Sequence, residues 1–171
     1  MYLLVLALAA CNPKSSTRPA TLGPETDARP AQEDGEMQPQ MNLPRTSVTL
    51  VTPEGRTISL VAQKAITEPQ KAKGLMFRAS LPESEGMLFL YDHEEELGFY
   101  MANCYIPLDM IFMNRDRVVL GVIKHARPMD PTVLSIGKPS QYVLEVNGGF
   151  TDRHGIVPGT RITWDQEVTR Q

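Results

Sequence analysis

The apolar positions of the chain divide it into three unlike stretches. Residues 1–10 are almost wholly apolar, whereas residues 12–46 contain six prolines and no Phe, Trp, Tyr, Ile or Val. From residue 47 onward, short β-prone runs follow one another. A stretch as poor in large apolar residues as 12–46 cannot bury enough surface to offset the entropy of ordering it. The pattern therefore predicts a signal peptide at 1–10, a disordered, Pro-rich tether at 11–46 and a single globular domain at 47–171.

Runs of strand-forming residues dominate the domain. The first two runs, 47–51 and 56–61, flank Pro53 and Gly55. Proline and glycine in these positions are typical of a tight turn, so the two runs are predicted to form a hairpin. Six further strands are predicted from the remaining runs, at 87–91, 98–102, 106–114, 118–124, 141–146 and 161–164.

Two short helices are predicted between the strands. Thr67 and Gln70 have the spacing of a capping box at a helix start. Asn147 is predicted to cap a second helix that ends near Gly155. Because strands and helices do not alternate regularly, a doubly wound parallel sheet is disfavoured. We expect an α+β domain, in which a mostly antiparallel curved sheet or partial β-barrel carries one or two short helices.

Polar residues inside the apolar runs are the candidates for chemistry. Asp109 and Glu145 each interrupt a run that is apolar on both faces. An acid among apolar neighbours must be hydrogen-bonded, paired or protonated. With Arg78 and Asn103 as partners, the two acids could serve as general acid and base in a cleft. The alternative is a structural network that fixes strand register, or acids that face water.

Composition and charge exclude several classes of protein. The chain has 171 residues, a net charge of −3, 42% hydrophobic and 22% charged residues. Without a basic excess, a nucleic-acid partner is not expected. No apolar run approaches the roughly 18 to 20 residues that span a bilayer. Two cysteines cannot make a disulfide framework or a multi-cysteine zinc site.

No cofactor or metal site is predicted. The acidic run 92–96 lacks the alternating oxygen ligands and the glycine of a calcium loop, so a solvated connection is favoured. Methionines with Cys104 and His125 could form a soft copper site, but no tight methionine cluster supports one. Cys104 could also be a nucleophile beside a histidine. Since no histidine has a recognisable spacing to Cys104, a buried small residue is favoured.

The N-terminal apolar stretch ends in a pattern that resembles the lipobox of bacterial lipoproteins, Leu8-Ala9-Ala10-Cys11. The pattern predicts cleavage before Cys11, which then carries diacylglycerol and palmitate and holds the protein on the membrane of the cell envelope. Asn12 rather than Asp favours the periplasmic face of the outer membrane. No Lys or Arg precedes the apolar run, unlike in usual signals. The alternative is a buried N-terminal strand with an incidental cysteine.

Five ordered blocks of the domain carry a resemblance to a known family. The blocks are Gly74-Leu75-Met76-Phe77-Arg78, Gly86-Met87-Leu88-Phe89, Phe99-Tyr100-Met101-Ala102-Asn103-Cys104, Ile106-Pro107-Leu108-Asp109 and Val143-Leu144-Glu145. Together they resemble domain-of-unknown-function family 192 over about residues 47 to 165. The resemblance implies a compact α+β domain, often behind an export signal, with no firmly assigned activity. Ala102 and Cys104 depart from it, because the family commonly has Lys and Thr there.

The leading hypothesis is a lipid-anchored envelope protein whose domain binds a small molecule or a cell-wall or glycan fragment. Ligand binding is favoured over catalysis. Polar residues beside aromatic and methionine side chains are a usual pocket composition. The residues predicted to line the site are Met76, Arg78, Tyr100, Asn103, Asp109 and Glu145. One alternative is an envelope hydrolase that uses Asp109 and Glu145. Another is a non-catalytic structural or assembly partner.

Overall fold

The hairpin predicted at the start of the domain is present. The computed structural model describes residues 37–165, so the predicted signal peptide, Cys11 and most of the predicted tether lie outside the described residues. Strands β1 (Arg45–Val51) and β2 (Thr57–Ala65) pair antiparallel. Gly55 in the turn between them has a φ of 82°. Glycine adopts this left-handed conformation without a steric penalty, which explains its place in the turn.

One sheet contains all the strands of the described residues. After β2 come helix α1 (Glu68–Lys73), strands β3 (Glu85–Glu96), β4 (Leu108–Met113), β5 (Val119–Ala126) and β6 (Pro139–Asn147), helix α2 (Phe150–His154) and strand β7 (Arg161–Trp164). The strand order is β5-β4-β6-β3-β2-β1-β7. Neighbouring strands are antiparallel except β2 and β3, which are parallel and connected through α1. Within residues 37–165, no helix is long and apolar enough to cross a membrane.

The two edge strands of the sheet meet at one end. Val118, next to β5, forms an isolated bridge with Arg161 of β7. The amide of Ile162 donates to the carbonyl of Arg117 at 2.9 Å. The sheet therefore curls into a half-barrel, and the prediction of an α+β fold with a curved, mostly antiparallel sheet is confirmed.

Three local predictions were wrong. Residues 92–96, predicted as a solvated connection, are exposed but continue strand β3. Segment 98–102 is not a strand, and Phe99 makes only an isolated bridge with Leu134. Phe99 and Met101 are buried because the segment covers the sheet, not because it belongs to the sheet, whereas Tyr100 is 45% exposed. Asn147 lies in β6, and the residue that caps α2 is Gly149. The first helix begins as predicted, because the Gln70 side chain accepts a hydrogen bond from the Thr67 amide at 3.0 Å.

Both faces of the central strands are covered, as their apolar sequence predicts. Side chains alternate between the faces, so Ile111 and Leu144 lie in an inner apolar layer and Phe112 and Val143 in an outer one. The inner layer is enclosed by the curl of the sheet and by Phe150 of α2. The outer layer is covered by short irregular segments, mainly the turn after α1 and residues 97–107.

Asp109 fastens α2 to the sheet. Its carboxylate accepts hydrogen bonds from the amides of His125, Gly149 and Thr151 at 2.8, 3.0 and 2.9 Å, and from the Thr151 hydroxyl at 2.6 Å. The first amides of a helix have no partner within the helix. Because Gly149 has no side chain to cap them, the carboxylate of a neighbouring strand takes that role.

The hydrogen bonds also determine the charge of Asp109. Burial alone would raise the pKa of this carboxyl, but the bonds from His125, Thr151 and Gly149 outweigh burial and hold the pKa below its ordinary value. The side chain is therefore an ionised, fully bonded carboxylate at neutral pH. Its geometry is that of a structural anchor.

We predict that Asp109→Ala lowers the free energy of unfolding by about 3 kcal/mol at pH 7, because buried amides of α2 lose their acceptor. A depressed carboxyl pKa stabilises the fold at pH values above the pKa of an unfolded aspartate. This contribution is lost as the pH falls from there through the lower pKa of the folded protein. The difference between wild type and variant should therefore shrink in acid. Urea unfolding measures both effects. Asp116→Ala, at an exposed turn, is the control. An equal loss in the control would contradict the anchoring role.

Candidate functional site

A row of side chains crosses the outer face of the sheet and contains one acid. Gln63 of β2 pairs with Met87 of β3, Met87 pairs with Glu145 of β6, and Glu145 pairs with Met110 of β4. Directly paired residues project to the same face. Glu145 thus lies between two methionines in the outer layer and is only 4% exposed.

A cavity of about 260 Å³ opens beside this acid. The end of α1 and the turn that follows it form one side, β3 another, and residues 98–104 a third. Four aromatic rings and the Cys104 thiol are part of the lining, and Glu145 is its buried acid. The lining residues are Glu68, Lys71, Ala72, Lys73, Gly74, Leu75, Met76, Phe89, Tyr91, Gly98, Phe99, Tyr100, Cys104 and Glu145.

The Glu145 carboxyl lacks the bonds that satisfy Asp109. Among the residues that the structure describes, no hydrogen bond contributes to its pKa, and the charge that does is that of Arg78. Burial raises the pKa of Glu145 to about 8, and the nearby positive charge of Arg78 offsets only part of this effect. Glu145 is therefore largely protonated at neutral pH, and it can both donate and accept a hydrogen bond in the cavity.

Arg78 lies behind the cavity and does not line it. Its guanidinium is buried and donates to the Gln63 side chain and to the backbone carbonyl of Gln40. Within residues 37–165, its Nε has no hydrogen-bond partner. Burial lowers the pKa of Arg78, whereas Glu85 acts in the opposite direction. Arg78 acts on the cavity through the electrostatic interaction with Glu145.

Asn103 lies beside Met76, which lines the cavity. The side-chain Nδ2 of Asn103 donates to the Met76 sulfur at 3.9 Å, and its backbone carbonyl accepts from the amide of Phe77 at 2.8 Å. Asn103 and Phe77 have φ values of 60° and 64°. Asparagine tolerates this conformation far better than most residues. The exposed Asn103 therefore shapes the turn beside Met76 more than the interior of the cavity.

The structure brings together some of the predicted site residues and separates others. Met76, Tyr100 and Glu145 line the cavity, and Arg78 and Asn103 lie next to it. Asp109 projects to the opposite face of the sheet, where its carboxylate is occupied by α2. Asp109 and Glu145 consequently do not face one cleft, so they do not form the acid–base pair of the predicted hydrolase.

Residues that the sequence analysis missed complete the cavity. Phe89, Tyr91 and Phe99 line it, and Lys71 places its ammonium 4.2 Å from the centroid of the Tyr91 ring. The two-residue spacing of Phe89 and Tyr91 was a signal that they share one face. What the spacing could not show is that this face is the one that carries Glu145, since that depends on the pairing of β3 with β6.

Two further groups of the lining, the Cys104 thiol and the Tyr91 hydroxyl, stay protonated. Burial, helped by the charge of Glu145, raises the pKa of the Cys104 thiol to about 12. Burial, with Glu68 and Glu145, raises that of Tyr91 to about 12. Since the thiolate is the nucleophilic form of cysteine, Cys104 is placed as a buried wall residue. Among residues 37–165, no group of three or more His, Cys, Asp or Glu side chains is positioned to hold a metal ion.

A second depression, of about 420 Å³, lies over the β1–β2 hairpin and contrasts with the cavity. Serine and threonine hydroxyls provide much of its lining, and its two charged residues, Arg45 and Glu85, pair with each other at 2.7 Å. Its acid and base thus satisfy each other. The cavity beside Glu145 is therefore the stronger candidate site.

The fold has counterparts among solved structures. A crystal structure from Sinorhizobium meliloti 1021, named as a candidate transcription regulator, matches with 32% identity and a TM-score of 0.71, over 73% of this chain and 97% of its own. A protein of unknown function from Novosphingobium aromaticivorans DSM 12444 matches with 36% identity and a TM-score of 0.69, over 78% of this chain and 99% of its own. Comparison with curated proteins finds no match.

The family model that matches is DUF192, described as "Uncharacterized ACR", and it covers residues 49–164. That range spans β2 to β7 and includes the whole lining of the cavity. The match takes in most of the chain and agrees with the five sequence blocks. The chain belongs to the DUF192 family.

Proposed function

We propose that the cavity binds a small, uncharged, hydroxylated molecule, of which one sugar unit of a cell-wall or other glycan is the best example. The observation that carries the proposal is Glu145, a carboxyl only 4% exposed on the wall of the cavity, whose pKa no hydrogen bond from residues 37–165 lowers. A buried polar group without a partner is costly, so a ligand that supplies one gains affinity.

The lining suits such a ligand in size and chemistry. A volume of about 260 Å³ is just below the usual range of small-molecule sites and favours a single ring over a long chain. Phe89, Phe99 and Tyr100 offer apolar surface against which the C–H face of a ring can pack. The protonated Glu145 offers both a donor and an acceptor to hydroxyl groups.

The charges at the cavity favour an uncharged ligand. Lys71 pairs with Glu68 at 2.7 Å and also lies over the Tyr91 ring, so its charge is already compensated. Glu145 is largely neutral at pH 7 because of its raised pKa. An anion that pairs with Lys71 would have to separate it from Glu68, and a cation that pairs with Glu145 would have to ionise it. Both changes cost free energy.

The second part of the proposal concerns location. We propose that Cys11 carries a lipid that holds the domain at the bacterial cell envelope, at the periplasmic face of the outer membrane. The support is the sequence pattern Leu8-Ala9-Ala10-Cys11 directly after an apolar stretch. A binding domain in this position would meet glycans and their fragments.

Ligand binding is tested with three variants and a panel of N-acetylglucosamine, glucose and a short cell-wall glycan fragment. NMR titration of the wild type should shift the resonances of Phe89 and Phe99. Glu145→Leu should weaken binding at least tenfold, because the hydroxyl groups lose their partner. Glu145→Gln should keep the affinity, since its amide also donates and accepts. Glu54→Leu, in the exposed turn of the hairpin, should bind like the wild type. Unchanged affinity in Glu145→Leu would refute the proposal.

The raised pKa of Glu145 predicts how stability depends on pH. An unfolded glutamate releases its proton near pH 4.5, whereas folded Glu145 keeps it up to about pH 8. The folded state therefore binds more protons in this window, and stability should fall as the pH rises, by at most about 1.4 kcal/mol per pH unit. Glu145→Gln should remove this component and Glu54→Gln should not. Denaturant unfolding from pH 5 to 9 measures it. Parallel curves for wild type and Glu145→Gln would contradict the raised pKa.

The location is tested by labelling. In bacteria fed a radioactive or clickable palmitate, the wild-type protein should take up the label and fractionate with membranes. Cys11→Ser should lose both properties, while Cys104→Ser should keep both, because Cys104 is a buried wall residue. The chain has only these two cysteines, so the two variants together test every cysteine that could carry the label. Label retained in Cys11→Ser would overturn the lipid anchor.

A further inference from the structure

The residues that precede β1 are attached to the domain by polar contacts. Residues 37–44, here called the strap, contain no helix or strand. The carbonyl of Gln40 accepts from Arg78, that of Met41 from the Gln63 side chain at 2.7 Å, and that of Pro44 from the Lys64 amide at 2.7 Å. Leu43 adds a partly buried apolar contact, while Met41 is 58% exposed. Hydrogen bonds to three backbone carbonyls therefore hold residues 40–44 of the strap.

One side chain of the strap reaches the end of α1. The Nε2 of Gln40 donates to the carbonyls of Gln70 and Gly74, both at 2.8 Å. The Gln70 carbonyl already accepts from the Gly74 amide at 2.9 Å, so Gln40 adds a second donor there and gives the Gly74 carbonyl a donor from outside the helix. Gln40 does so from a segment about 30 residues earlier in the chain.

The residues of α1 add little to the apolar core. None of the six is buried. Helices this short are unstable by themselves, and most helices in proteins depend on an apolar face that packs against the core. Within residues 37–165, other contacts of this region include the Lys71 ammonium over Tyr91, the close approach of Gly74 to Phe89 and the buried side chain of Leu75 in the turn. To these contacts Gln40 adds two hydrogen bonds from outside the helix.

Residues 71–76, at the end of α1 and in its turn, form one side of the cavity. We propose that Gln40 is a positioning residue that holds this side in place, so that docking of the strap and binding of a ligand in the cavity are coupled. The inference rests on the proposed ligand site. By linkage, a ligand that needs the α1 side in place also stabilises the docked strap. Because the strap adjoins the predicted tether, displacement of that segment would reach the cavity.

Hydrogen exchange of the full chain tests the hold on α1 without any ligand. The amides of Lys71 and Gly74, which donate within α1, report on its opening. Gln40→Ala should speed their exchange about tenfold, since two hydrogen bonds to the helix end are lost. Gln40→Met has nearly the same size and no donor, and should behave like Gln40→Ala. Gln38→Ala, two residues earlier and exposed, should exchange like the wild type.

The amide of Thr52 in the hairpin is the internal reference, and its exchange should be the same in every variant. If Gln40→Met keeps the protection of the wild type, packing and not hydrogen bonding holds α1, and the proposal is overturned. The same conclusion follows if Gln40→Ala and Gln38→Ala exchange alike.

Titration with N-acetylglucosamine then tests the coupling. Gln40→Ala and Gln40→Met should bind it several-fold more weakly than Gln38→Ala, with Glu145 untouched in all three proteins. Faster exchange with unchanged affinity would overturn the coupling. If the wild type binds none of the saccharides, the proposed ligand site fails, and the coupling that rests on it fails as well. The exchange data alone then still decide whether Gln40 holds α1.

Discussion

The central strands of this sheet are apolar on both faces. Each face must therefore be covered by other parts of a small domain, so that its side chains are kept from water. The two faces meet this requirement differently. The inner one is enclosed by the curl of the sheet and by α2, which Asp109 fastens to β4. The outer one is covered by short irregular segments and by α1, which has no buried residue of its own. A cover made of such pieces does not close completely, and the cavity lies where α1, β3 and residues 98–104 meet.

Asp109 and Glu145 give the same signal in the sequence and have opposite roles in the structure. Each is an acid in an apolar strand, and each is almost inaccessible to water. Asp109 faces the tightly closed inner layer, where amides of α2 and β5 surround it, and its pKa falls below the ordinary value. Glu145 faces the incompletely closed outer layer, where no hydrogen bond from a described residue lowers its pKa, and its pKa rises to about 8. The difference comes from which face of the sheet each acid occupies, and so from what covers that face.

The sequence predicted what local chemistry determines and missed what depends on pairing. Pro53 and Gly55 predicted the hairpin, Gln70 predicted the start of α1, and the absence of regular β–α alternation predicted the type of sheet. Segment 98–102 was taken for a strand because a covering segment is as apolar as a strand. By composition, residues 37–44 resemble the rest of the predicted tether. The contacts that hold them use backbone carbonyls, which every residue has, so the composition does not reveal these contacts. The cavity was found only in part, since its lining depends on the register of β3 with β6.

The departure of this chain from its family bears on the same acid. Cys104 stands where the family commonly has a threonine, and it lines the cavity together with Glu145. A hydroxyl is a good donor to a carboxylate, whereas a thiol is a weak one. A threonine at this position could therefore stabilise the ionised form of Glu145, and the cysteine does not. Burial and the opposing charge of Arg78 therefore set the pKa of Glu145, with only a weak donor beside it in the wall of the cavity.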